Sequence, residues 1–555
     1  MPRKYALGLD FGTESGRALL VAVDDGAEVA TAIENFPDGV IATQLPGTGT
    51  KLDPDWALQN AADYLTVLER IVSRVLVESG VSPGDIVGIG TDFTACTLIP
   101  IDAQNMPLSM RPEFAANPHA WVKLWKHHGA QPEADRINEL ARERGETFLA
   151  RYGGKVSSEW LFPKALQVLD ESPEIYTAAD RFIEAGDWLT LHLTGEETRN
   201  ACAAGYKATW DEAYPSREFL KALDPRMENI VAEKLRGGIY PTGAKAGGLL
   251  PEVAAKLGLR PDTAVAVSSI DAHVAVPAST VTGPGDMVMI MGTSLCHMVN
   301  HTEKLSIDGM AGVVKDGIIP GLYGYEAGQA AVGDIFAWFV EHCVPASLVE
   351  AAKSQNTDIH GLLSCKAAAL KPGESGVLCL DWWNGNRSVL VDADLSGLMI
   401  GMTLTTTPAE MYRAVLESTA FGTYKIIRTL EDGGCPIHAL YACGGLAVRA
   451  PLLMQIFADV TNREIRVAAS DQTVALGAAM WGAVAAGKAA GGYDTVADAA
   501  KHMARLRDKR YTPDPAAHKV YERLFAEYEV LHDYFGRGEN RVMKTLKALK
   551  REARG

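Results

Sequence analysis

Three short apolar runs open the chain: KYALGLDF (4–11), RALLVAVD (17–24) and EVATAIENF (28–36), all rich in Val, Ile, Leu and Ala. Gly12–Gly16 separates the first two, and Asp25-Gly26 the second and third, so the pattern predicts strands joined by tight turns. Leu58, Leu65, Leu68, Val72 and Leu76 then recur near helical spacing. They predict a helix with Asp53 as N-cap, Pro54 at its first position and Gly80 at its end. DIVGIGTDFT (85–94) reads as a buried strand, which completes the order β-β-β-α-β.

The second half repeats this plan. GDMVMIMGTSLCHMVN (285–300) reads as strand, Gly-Thr turn, strand. A helix from about Pro408 to Leu430, with Thr407 as cap, precedes the strand HALYACGG (438–445). That strand ends in Gly444-Gly445, as the earlier one ends in Gly90-Thr91-Asp92. Two such units imply two related α/β lobes, 1–282 and 283–555, with a cleft between them. Residues 93–260 read as an insertion of helices and loops in the first lobe, with many aromatics. TVALGAAMWGAVAAGKAAGG (473–492) is broken by Lys488 and falls short of the ~20 apolar residues a membrane span needs. Its Ala and Gly suit a helix packed closely in a core. At the end of the chain, Arg541, Lys544, Lys547 and Lys550 stand three apart, the basic face of a solvated tail helix.

Charge narrows the partners. Among 555 residues, 69 acidic against 53 basic side chains give a net charge of -16, which argues against nucleic acid or an anionic membrane as the main partner. The eight cysteines include no CxxC pair, so free thiols in a reducing compartment are expected. The start, MPRKYALGLD, lacks the apolar run of a signal peptide, and a cytoplasmic location is expected.

Asp10-Phe11-Gly12 spells the magnesium motif of protein kinases, but that motif needs a Gly-rich loop, a strand lysine and an HRD loop before it. Only nine residues precede Asp10, and GxxxxGK[ST] occurs nowhere. Two readings remain. One is a purely structural hairpin. The other is a turn whose backbone N–H groups meet phosphate, with Gly12 and Gly16 flexible, Thr13 and Ser15 adding hydroxyls, and Asp10 holding a hydrated Mg²⁺. MGTS (291–294) offers a second such turn, and ACGGLAVRA (442–450) a glycine pair opening a helix. This combination resembles the superfamily of sugar kinases, heat-shock chaperones and actin. It implies two ribonuclease-H-like lobes of the actin/hexokinase-type ATPase and an active site between them.

Four inserted stretches sharpen the resemblance: FTACTLIPIDAQNMPL (93–108), RPEFAANPHAWVKLWKHHGA (111–130), RYGGKVSSEWLFPKALQVL (151–169) and EAGDWLTLHLTGEETRNACAAGYKATW (184–210). With the nucleotide motifs, the chain resembles the FGGY family of carbohydrate kinases over nearly all of residues 5–485. Within that family it is similar to the branch that phosphorylates L-ribulose at its 5-hydroxyl in L-arabinose catabolism. The resemblance implies ATP and Mg²⁺ as cofactors and Asp271 as the general base. It places nucleotide contacts at Asp10, Thr13, Ser15, Arg17, Gly292, Thr293, Gly333, Gly444, Gly445 and Arg449. It places sugar contacts at Ala95, Lys207, Asp271 and Glu326, and is compatible with a homodimer. The plain alternatives are a helix-capping Asp271, a surface Lys207 and an ordinary strand carboxylate at Glu326. Two positions depart from the family: Glu14 puts an acid in the first turn, and Arg449 stands where relatives often have Asn. Rival readings are a kinase for xylulose, D-ribulose or glycerol, and an ATPase whose partner is a protein.

Overall fold

The computed structural model describes residues 2–554. Two seven-stranded sheets, built to one plan, carry the molecule. In the first, β1 (Tyr5–Phe11), β2 (Ser15–Ala22) and β3 (Glu28–Asn35) form an antiparallel meander. Helix α1 (Ala61–Ser79) returns the chain so that β4 (Ile86–Phe93) lies parallel to β1. Every residue of β4 is buried, as in a parallel strand covered on both faces. Helix α2 (Ala201–Lys207) precedes the remaining strands, β5 (Lys245–Gly248), β6 (Ala264–Ala266) and β7 (Ser269–Ile270). The order is β5-β6-β4-β1-β2-β3, with β7 beside β4, and helix α3 (Asp271–Ala278) leaves β7 directly.

The second sheet begins with β8 (Asp286–Met291) and β9 (Leu295–His301), followed by β10 (Gly312–Lys315) and β11 (Tyr323–Gln329). Helix α4 (Gly333–Cys343) and the long α5 (Pro408–Asp432) lead to β12 (Ala439–Cys443), which lies parallel to β8. α5 starts as predicted. The Thr407 hydroxyl accepts from Glu410 N–H, and the Glu410 carboxylate accepts from Thr407 N–H, a capping box. The chain continues through α6 (Gly445–Arg449), β13 (Ile465–Ala468), α7 (Thr473–Ala486) and β14 (Leu506–Tyr511) to a final helix, α8 (Val542–Arg554). The sheet order is β10-β11-β9-β8-β12-β13-β14.

The apolar segment at 473–492 is an interior helix. α7 lies flat on the first sheet, where a Cβ added at Gly8, Gly88 or Gly90 would collide with the carbonyls of Ala475, Gly482 and Ala478. A Cβ on its own Gly477 would strike the Val274 carbonyl in α3. Among the described residues no single helix is long and apolar enough to cross a membrane.

Three expectations are corrected. α1 begins at Ala61, capped by the Asn60 side chain, because Asp55 takes a left-handed φ of 66° and Leu58 pairs with Lys123 in a strand. Its buried face is therefore Tyr64, Val67, Leu68, Ile71, Val72 and Val75. The insertion at 93–260 is not only helices and loops: Leu98–Ile101, Val122–Lys123 and Arg181–Glu184 join Leu58–Gln59 in a four-stranded sheet, and β5 of the main sheet falls inside those bounds. The tail helix is not simply solvated. Lys544 pairs with Asp392, Arg551 with Asp394, and Lys547 donates to the carbonyls of Ala393 and Leu395.

Candidate active site

At the carboxyl ends of β1, β4 and β7 three carboxylates gather, the edge where ligands bind in sheets with parallel strands. Asp10 and Asp92 stand in register across the parallel pair β1–β4, and Asp271 follows β7, which pairs with Asp92 and Phe93. Burial pushes the Asp271 carboxyl up to about 7, and the nearby Asp10 charge adds to the shift. Its Oδ1 accepts from Ala272 N–H at 2.6 Å. Burial, reinforced by Asp10 and Asp271, holds Asp92 well above the carboxylate range. No N–H or hydroxyl of the described residues reaches either Asp92 oxygen. Burial also raises Asp10, opposed by Arg17, whose Nη1 lies 2.8 Å from Asp10 Oδ2.

The first turn is braced by the insertion. Gly12 N–H donates to Ser15 O at 3.0 Å. Trp125 Nε1 donates to Thr13 Oγ1 at 3.0 Å, and Gln59 Nε2 to Thr13 O at 2.7 Å. With its oxygen accepting from Trp125, the Thr13 hydroxyl keeps its own proton to donate. Ser15 is buried at the start of β2. Glu14 is exposed and points toward Gly39, so it does not crowd the turn.

The second turn has the same closure, Gly292 N–H to Ser294 O at 3.0 Å, and helix α4 begins against it. Val332 N–H donates to Thr293 O at 2.9 Å and Gly333 N–H to Gly292 O at 3.2 Å. A Cβ at Gly333 would stand 2.8 Å from the Gly292 carbonyl, which demands glycine there. Gly444, at φ 90°, likewise lies against the Met291 carbonyl, and the Arg449 guanidinium folds back over Gly445. Two distant segments, Val332-Gly333 and Gly444–Arg449, thus converge on one turn.

Lys207, the last residue of α2, meets Glu326 of β11 across the two halves. Its Nζ donates to Oε2 at 2.9 Å and Oε1 at 3.2 Å, and both side chains are buried. Burial alone would lower the Lys207 ammonium, but the Glu326 charge overrides it and raises it. Glu326 is lowered by Lys207 against its own burial. His273 Nε2 lies 3.6 Å from Glu326 Oε2, and burial takes the imidazole down to about 4, so it is neutral. Ala95 packs against the cluster of Cys202, Ala203 and Tyr206. Next to it, Cys96 has a φ of 55°, and its carbonyl accepts from Lys164, which also donates to Leu124 O at 2.8 Å.

The structure places Asp10, Arg17 and Asp271 at the carboxylate cluster, Thr13 and Ser15 in the first turn, Gly292, Thr293, Gly333, Gly444, Gly445 and Arg449 around the second, and Ala95 against α2, whose Lys207 pairs with Glu326. Asp92, Trp125, Gln59, Lys164 and His273 were not predicted. Only Asp92 left a signal, because Asp92-Phe93 repeats Asp10-Phe11. Comparison with known proteins supplies the class. Residues 5–277 match the N-terminal domain, and residues 287–486 the C-terminal domain, of the FGGY family of carbohydrate kinases. The chain belongs to that family.

This FGGY kinase is 56% identical to the ribulokinase of Geobacillus thermodenitrificans, over 100% of this chain and 98% of the relative. It is 48% identical to that of Mycolicibacterium smegmatis, over 99% and 97%. The fold is shared with a xylulose kinase from Rhodospirillum rubrum (TM-score 0.76, 23% identity, 95% and 98% of the two chains). It is also shared with a gluconate kinase from Lactobacillus acidophilus (TM-score 0.78, 18% identity, 97% and 99%). The FGGY chain is thus a sugar kinase with the actin/hexokinase-like ATPase fold that its repeated sheets predict.

Proposed function

We propose that this FGGY kinase transfers the γ-phosphoryl group of ATP to the 5-hydroxyl of L-ribulose. The observation that carries the reading is its likeness, at up to 56% identity over the whole chain, to relatives called ribulokinase. The site fits it. Asp271 takes the hydroxyl proton, and a base whose pKa is near 7 is matched to neutral solution. Thr13, Ser15 and Arg17 on one side, and Gly292 and Thr293 on the other, hold the phosphates. Gly333, Gly444, Gly445 and Arg449 shape the nucleoside end. Lys207 and Glu326, with the Ala95 backbone, read the sugar hydroxyls.

Asp10 and Asp92 fit a hydrated divalent cation delivered with the phosphates: two facing carboxyls, one of them without a donor. Among the described residues no group of three ligating side chains is arranged to grip a bare ion. Bound Mg²⁺ would neutralise phosphate charge there.

Steady-state kcat/KM for L-ribulose, D-ribulose, both xyluloses and glycerol tests the reading, with the phosphate mapped on each product. L-Ribulose is expected to be best and to carry phosphate on its fifth oxygen. Buried groups that pair hydroxyls reject analogues lacking them far more strongly than epimers that only move them. A better rate on glycerol, or phosphate on another oxygen, would refute the assignment.

A further inference from the structure

Arg387 lies in the loop between Trp382 and Leu395, outside every motif read from the sequence. Asn386 and Asp392 exchange both backbone hydrogen bonds (2.9 and 2.8 Å), which closes the loop on itself. Ser388 Oγ accepts from Gly328 N–H at 3.1 Å, which stitches the loop to β11. The Arg387 stem rests on the bare backbone of Gly328, where a Cβ would be 3.4 Å from its Cδ and 3.8 Å from its Nη1.

Register places the guanidinium. Side chains alternate along a strand, so the vacant position at Gly328 shares the face of Glu326, two residues away. Gly328 pairs with Cys296, two residues beyond Ser294, whose carbonyl closes the second phosphate turn. Arg387 therefore stands between the Lys207–Glu326 pair and that turn. The groups that face its charge come from both halves: Cys296 and Glu326, and Glu159 and Cys96.

Yet the Arg387 side chain makes no hydrogen bond or ion pair with any other described residue. The neighbouring ions are already matched, Arg17 with Asp10 and Lys207 with Glu326. A guanidinium offers five donors in a fixed fork suited to phosphate oxygens.

We propose that Arg387 is a catalytic residue, whose guanidinium donates to the phosphoryl group in transit between ATP and the sugar. This rests on the sugar-kinase reading above. In the step, the hydroxyl O–H bond breaks and its proton passes to Asp271. The oxygen bonds to the γ-phosphorus, and the bond from that phosphorus to the β–γ bridging oxygen breaks, its electron pair leaving on ADP. Charge spread over the three equatorial oxygens meets the unpaired arginine. An arginine placed there is worth about 10³–10⁵ in other phosphoryl-transfer enzymes.

The test compares the wild-type enzyme with Arg387→Ala and Arg387→Lys on L-ribulose. The alanine variant should lose at least about 100-fold in kcat, while its Kd for ATP without sugar stays within about threefold and its melting temperature is unchanged. Added guanidinium ion should restore part of its rate saturably and leave the wild type unaffected. Arg387→Lys keeps the charge without the fork and should stay folded yet fall at least about tenfold, which covers an alanine variant that does not fold. A near-normal kcat in either variant, or a loss confined to KM for the sugar, would overturn the proposal. A wild-type enzyme inactive on L-ribulose would instead refute the substrate reading.

Discussion

Asp271 owes its chemistry to the place where the backbone changes from strand to helix. Following β7 puts it next after Ile270, the partner of Phe93, and beginning α3 gives its Oδ1 an N–H at 2.6 Å, so one oxygen is held and the other is left for a proton. Burial beside Asp10 sets its pKa near 7 in the free enzyme. A base acts only when unprotonated, so kcat/KM should fall about tenfold per pH unit below 7 and level off above it. Asp271→Asn should lose about 10²–10⁴ in kcat, roughly 3–5 kcal/mol of barrier, and its residual rate should lack that acid limb. ATP affinity should hardly change. Normal turnover, or an acid limb that persists in the asparagine variant, would move the base elsewhere. At this scale the sequence was informative where chemistry is local: the glycines and hydroxyls of the two turns stand where they read. Arg387 was silent, and Asp92 left only the echo of Asp10-Phe11 in Asp92-Phe93, because their meaning comes from register with strands far away along the chain.

Among the elements, α7 shows how composition encodes contact. Small residues let its backbone lie on β1 and β4, and Gly8, Gly88 and Gly90 are the matching gaps in the sheet. The sequence indicated close packing of an Ala-Gly helix but not its partner, which lies some 390 residues earlier by numbering (Gly90 against Ala478). Gly90→Ala drives a methyl into the Ala478 carbonyl, a backbone atom that cannot rotate away. Overpacking of this kind costs typically about 1–3 kcal/mol. The upper part of that range is expected here, read as a lower midpoint in urea unfolding. An unchanged midpoint would mean that helix and sheet are not in contact. The misplaced start of α1 has a comparable lesson. Asp53-Pro54 has the chemistry of a helix start, but pairing of Leu58 with Lys123 takes that segment into a strand, and Asn60 caps the helix instead.

For the whole molecule, the question is what the buried Lys207–Glu326 pair does between the two halves. A surface pair, Lys304–Asp211 at 2.6 Å, also links them, but exposed pairs are worth about 0–1 kcal/mol. The buried pair differs because either partner alone becomes an uncompensated buried charge, a change that costs about 3–5 kcal/mol. Lys207→Met leaves Glu326 in that state, and Glu326→Gln leaves Lys207 in it, so each single variant should unfold at lower denaturant and phosphorylate sugar poorly. Combining them removes both charges and should recover most of the stability. Activity should not recover, because the groups assigned to reading the sugar hydroxyls are then both gone. Unfolding midpoints and kcat/KM measured on the same four proteins separate the two roles. Should activity return with stability in the double variant, the pair would be only a brace between the halves, and the sugar would have to be read by other residues. Should neither return, the pair's geometry, and not its charge balance, would be what the fold requires.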